Sequence, residues 1–74
     1  MRVINLEDGI DIPYESFSLN IEINNEFVEI IASNVYTLDY KVLCTVDKRE
    51  HAAQILKNIA LAYYNGTKAY FIEP

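Results

Sequence analysis

The apolar residues of this chain change their period at Asp47, and that one change decides most of what the chain can fold into. Before it, Phe17, Leu19, Ile21 and Ile23 occupy every second position, with Ser18, Asn20 and Glu22 between them. That is the alternation of a strand with one buried face. After it, Ala52, Ile55, Leu56, Ile59 and Tyr63 recur at helical spacing, the stripe of an amphipathic helix. Strands followed by a single helix predict an α+β fold, a mostly antiparallel sheet of four to five strands with the helix packed on one face.

Local signals divide the chain further. Residues 2–5 read as a short strand, and the Asp8-Gly9 pair as a turn before Ile10-Asp11-Ile12, since glycine accepts the backbone angles of a tight hairpin. Pro13 cannot donate to a ladder and ends that strand. Asn24-Asn25-Glu26 makes the next turn, and residues 27–33 return as the partner strand. From Tyr36 the alternation resumes, placing Tyr40, Val42, Cys44 and Val46 on one face, with a bend near Leu38-Asp39. Asp47 with Glu50 three residues on has the form of a capping box, which predicts a helix over 48–65. Gly66 stops it, and residues 68–72 form a last strand. Ile55, Leu56 and Ile59 are then expected to pack on Leu19, Ile21, Tyr40 and Val42. Tyr63 continues the buried stripe, Tyr64 is turned about 100° from it toward solvent, and Tyr70 and Phe71 must lie on opposite faces.

Seventy-four residues allow one domain, residues 1–74, and a chain this short buries only roughly 60% of its unfolded surface. Oligomerisation is a natural aid, and the sequence predicts a homodimer through an exposed strand edge. Charges such as Glu22, Glu29 and Asp39 interrupt every apolar run, so nothing approaches the ~20 residues of a membrane span. No apolar segment follows Arg2, which predicts no secretory leader. The lone Cys44 allows no internal disulfide, and the expected setting is cytoplasmic.

Charge is unevenly spread. Residues 1–39 carry eight acids against Arg2, a net of −7, and residues 40–74 carry five bases against three acids, a net of +2. An acidic chain is repelled by phosphate backbones unless its cations converge, so the favoured partner is basic. Glu7, Asp8, Asp11, Glu15, Glu22, Glu26 and Glu29 are the acidic candidates for contact with it, and Tyr64, Tyr70 and Phe71 the aromatic ones.

Searches for catalytic chemistry find little. There is no glycine-rich phosphate loop, no Cys or His pair at metal spacing and no nucleophile elbow. Glu7, Asp8, Asp11 and Glu15 are the one group able to supply the several carboxylates that a hard cation such as Mg²⁺ needs for phosphoryl transfer. Turn-forming acids account for Glu7 and Asp8 equally well. His51 is expected to face solvent and Cys44 to be a small buried hydrophobe. The sequence predicts no enzyme, no cofactor and no metal.

The opening MRVIN, then Gly9 and Asp11-Ile12-Pro13-Tyr14-Glu15, resembles the N-terminus of small uncharacterised proteins encoded by phages and prophages of low-GC Gram-positive bacteria. The closing stretch is similar to their pattern too, with Tyr40-Lys41-Val42 in the strand, Glu50, Ala52, Leu56, Ile59 and Ala62-Tyr63 in the helix, followed by Gly66, Tyr70 and Pro74. The start of the helix departs from it, having Asp47-Lys48-Arg49 where those proteins carry Ser or Thr followed by two glutamates. The resemblance implies a viral or mobile-element origin. With the acidic charge, it leads to the expectation of a phage accessory protein in the host cytoplasm that binds a host protein, a basic nuclease of a defence system, as an anti-CRISPR inhibitor does. The alternative is a dimeric nucleic-acid-binding module. Strands followed by a helix resemble the PC4-like single-stranded-DNA-binding proteins, and that resemblance implies phosphate contacts from Lys41, Lys48, Arg49, Lys57 and Lys68 with tyrosines stacking on bases.

Overall fold

The structure, a computed structural model, describes residues 1–73; Pro74, part of the resemblance above, lies outside them. Among the described residues, six strands form two three-stranded sheets rather than one, and a single helix packs chiefly on the second of them. The first sheet has the order β2-β1-β6 and the second β3-β4-β5. β1 (Arg2–Asn5) pairs antiparallel with β2 (Ile10–Pro13) across the Gly9 turn, where glycine takes φ 67°. A short 3-10 turn leads into β3 (Phe17–Ile23), β4 (Val28–Asn34) and β5 (Tyr40–Val46), each antiparallel to the one before. The helix α1 (Arg49–Tyr64) then returns the chain, and β6 (Ala69–Phe71) pairs parallel with β1.

The core lies between the inner faces of the two sheets and the helix. β4 supplies Val28, Ile30 and Ala32, β5 supplies Leu43, Cys44 and Val46, and α1 supplies Ala52, Ile55 and Ile59. Val3, Ile12 and Ile72 close it from the first sheet. Leu19, Ile21 and Leu56 are half-buried against this cluster as their spacing predicts.

Three sequence expectations are corrected. The register of β5 on β4 shifts between Ile30 and Ile31, so that Cys44 faces Ile30 while Val42 faces Ile31. A bulge of this kind reverses the inward parity beyond it. Leu43 is therefore wholly buried, whereas Tyr40 is 71% exposed and Val42, opposite Ile31, is only half-buried and outside the core cluster. Residues 36–39 are not strand. Asn34 organises them, its Oδ1 accepting from the amides of Tyr36 (2.9 Å) and Thr37 (3.1 Å), and Leu38 takes φ 67° in the turn. The capping box also fails to form. Lys48 holds the extended N-cap position with no side-chain cap bond, which leaves Asp47 outside the helix.

The helix end matches its expectation. Gly66 adopts φ 78°, its amide bonds the Tyr63 carbonyl (3.1 Å) and the Thr67 amide reaches back to Ala62 (2.9 Å). This pair of bonds is the Schellman pattern, which satisfies carbonyls the helix cannot.

Candidate functional site

Asn5 is the polar side chain buried where the two sheets meet, 5% exposed. It points inward because it shares the parity of Val3 on β1. Its Nδ2 donates to the Leu43 carbonyl (2.8 Å) and to Asp8 Oδ2 (3.1 Å), and its Oδ1 accepts the Asp8 amide (3.3 Å). One side chain thus ties the first sheet to the edge of the second and fixes the turn that carries Glu7 and Asp8.

Beside this junction lies a cleft of about 210 Å³. Its apolar floor includes Cys44, Val46, Ile55 and Ile72, and Glu7, Asp8 and Glu73 stand at its polar side. Thr45 links it to the rest of the surface: it lines the cleft and, on β5, lies directly opposite Glu29, which is itself opposite Glu22 on β3. A row of residues therefore runs across the molecule from Glu22 through Glu29 and Thr45 to the acids of the cleft.

The topology brings further charges to that end. Glu26 is in the β3-β4 turn, and Asp47 and Glu50 follow the end of β5. Eight carboxylates, with Lys48 and Arg49 as their only cations, give this end a net charge of −6. Arg2, Lys41, Lys57 and Lys68 against Asp11, Glu15 and Asp39 leave +1 for the remainder, which completes the chain's −5. The polarity follows the ends of the strands, whereas the sequence suggested a division between halves.

The seven acids singled out in the sequence divide accordingly. Glu22, Glu26 and Glu29 belong to one hairpin, with Glu7 and Asp8 at the same end. Asp11 instead pairs with Arg2 Nε (2.8 Å) on the outer side of the first sheet, and Glu15 pairs with the amino group of Met1, whose hydrogen bond holds its carboxyl below the usual range. Glu7, Asp8, Asp11 and Glu15 therefore do not converge as a metal site requires. Among the described residues no group of three or more His, Cys, Asp or Glu side chains is placed to hold a metal ion.

The cations of the nucleic-acid reading are spread as well. Lys48 and Arg49 stand at the acidic end, Lys41 and Lys68 at the opposite end, and Lys57 on the exposed side of α1 between them. Of the aromatic candidates, Tyr64 is 87% exposed and Phe71 52%, while Tyr70 packs against the core. Tyr63 departs from its expected burial; it is half-exposed and packs against Tyr14 with ring centroids 4.9 Å apart and the rings tilted by 44°. Asn5, Thr45 and Glu73 had not been singled out, and Asp47 and Glu50 only as a helix cap. Only the register of the strands brings them to one end, and no local pattern carries that information.

Cys44 is 5% exposed, and burial, with a smaller push from the Asp8 carboxylate, raises its thiol to about pKa 11. A thiol that resists ionisation in the folded state stabilises the fold below the unfolded pKa, near 8.5, and loses that contribution as pH climbs toward the folded value. Stability should thus hold to about pH 8 and decline between about pH 9 and 11, which urea titrations across that range would show. A Cys44→Val variant should flatten the decline; an identical decline in the variant would assign it to other groups.

Comparison of the chain with protein families, curated proteins and solved structures yielded no match. No helix among the described residues is long and apolar enough to cross a membrane.

Proposed function

We propose that this chain is a binding protein whose acidic end engages a basic protein of the host, and that it inhibits a defence nuclease by occupying the groove in which nucleic acid would lie. The observation that carries this reading is the direct opposition of Glu22 and Glu29. Like charges facing each other across a strand pair destabilise a sheet by roughly 0.2–1 kcal/mol. Glu26 lies in the turn beside this pair, and Asn24 Nδ2 donates to Glu29 Oε1. A cationic partner relieves the repulsion, and the resulting attraction speeds association and weakens with salt. A phage or prophage origin, in the host cytoplasm, is part of the same proposal and rests on the resemblance at the two ends of the chain.

The test is capture from host lysate on the immobilised protein, with elution by a salt gradient and identification by mass spectrometry. A basic nuclease should be retained, and the purified nuclease should lose activity on adding the protein. Changing Glu22, Glu26 and Glu29 together to lysine should weaken that association by ~100-fold or more, taking roughly 1 kcal/mol for each reversed charge. Asp39→Lys, at the opposite end, should leave it unchanged. Equal capture by the triple variant and the parent would remove the hairpin from the interface, and retention of nothing but nucleic acid would sink the reading.

A further inference from the structure

Four strands of this fold lie at sheet edges, and three of them are blunted. β6 is only three residues long, and β2 ends at Pro13 and carries the Arg2–Asp11 pair against its outer side. β5 is bulged, and its Leu43 carbonyl already accepts from Asn5. These are the devices by which proteins prevent strands from adding to an open edge. β3 has none of them. It is seven residues long, has no proline and no bulge, and carries Glu22 as its one charge.

The hydrogen bonding of the hairpin shows which groups of β3 are open. At one end the Asn24 amide bonds the Phe27 carbonyl (2.9 Å), and at the other the Val35 amide bonds the Ser16 carbonyl (3.0 Å). In an antiparallel pair the bonded positions alternate, so Ser18, Asn20 and Glu22 turn their backbone groups toward β4. Leu19, Ile21 and Ile23 turn theirs to the open side. Phe17 offers its carbonyl there, its amide being bonded to Tyr14.

We infer that a second copy of this chain adds at β3, antiparallel and centred on Asn20, to join the β3-β4-β5 sheets of the two copies into one of six strands. This is the register that pairs the strand over its whole length. Leu19 then faces Ile21 of the other copy and exchanges both backbone bonds with it, and the Ile23 amide meets the Phe17 carbonyl. The side chains agree with it. Ile23, 62% exposed in the single chain, comes against Phe17. Glu22 falls opposite Ser18 and so meets no like charge. Asn20 lies on the two-fold axis at a non-bonded pair, where opposing side chains approach most closely.

Engineered cysteines test the register, because a disulfide needs Cβ atoms within about 4.5 Å. Asn20 and Ser18 are both exposed, so Asn20→Cys and Ser18→Cys should fold as the parent does, which circular dichroism checks. Under mild oxidation N20C should cross-link almost completely and S18C should not, while the buried Cys44 stays free. In sedimentation equilibrium the parent should dimerise; Ser18→Glu, placed against Glu22 of the second copy, should weaken the dimer ~10-fold, and Ser18→Lys should tighten it. A parent that remains monomeric to millimolar concentration overturns the inference. So does cross-linking by S18C in place of N20C, or an unchanged dimer in both charge variants.

Discussion

Ile59→Ala should lower stability by ~2–5 kcal/mol, the usual cost of truncating a fully buried aliphatic side chain and leaving a cavity behind. Ile59 has no exposed surface and belongs to the stripe by which α1 enters the core against β3, β4 and β5. A domain of this length has only about 4–11 kcal/mol in all, at ~0.05–0.15 kcal/mol per residue. The melting temperature followed by circular dichroism should therefore fall by about 10–30 °C, on the scale of ~4–8 °C per kcal/mol for small domains. Ile23→Ala is the control. Its side chain is largely exposed at the end of β3, so the same chemical change should alter stability by ~0.5 kcal/mol or less in the monomer. Similar losses for both would mean that α1 does not hold the core.

The burial of Ile59 was legible in the sequence from the helical period, whereas Ile23 shares the buried parity of Phe17, Leu19 and Ile21 and is exposed only because it ends its strand beyond the reach of the core. Phe17 to Ile23 and Ala52 to Ile59 are local patterns, and they were sufficient for the β3-β4 hairpin, the helix, its glycine stop and the α+β class. The bulge was not legible from parity alone. Val42, Leu43 and Cys44 are all apolar, so inserting one residue there leaves no polar side chain on the wrong face to reveal it. The three consecutive apolar residues are the one hint. The division into two sheets was hidden for a different reason. β1 and β6 are short, far apart in sequence and parallel, and their pairing is imposed by the return of α1. The acidic end depends on that topology too. Glu73 reaches the neighbourhood of Glu7 only because β6 runs beside β1, and Asp47 reaches that of Glu29 only because β5 ends where β4 begins.

Asn5→Ala should have an effect out of proportion to the few atoms it removes. The Leu43 carbonyl and the Asp8 amide each lose their partner in the side chain, and a buried group left unsatisfied costs ~1–3 kcal/mol. A loss of ~2–4 kcal/mol in urea unfolding is expected, together with faster amide exchange in β1 and β2 than in β3 and β4, because the junction is what is cut. Asn5→Asp makes the sharper test. The carboxylate keeps an acceptor for the Asp8 amide, but it presents oxygen to the Leu43 carbonyl and a second negative charge to Asp8. Burial and that charge both raise the pKa of the new carboxyl in the folded state. A raised folded value means stability that is fully present below the unfolded pKa, near 4, and lost as pH climbs through the folded one. The variant should therefore approach the parent at pH 4, where its protonated oxygen can donate to Leu43, and fall progressively behind it toward pH 7. A deficit independent of pH would mean that Asn5 acts through its volume alone and that its hydrogen bonds do not join the sheets.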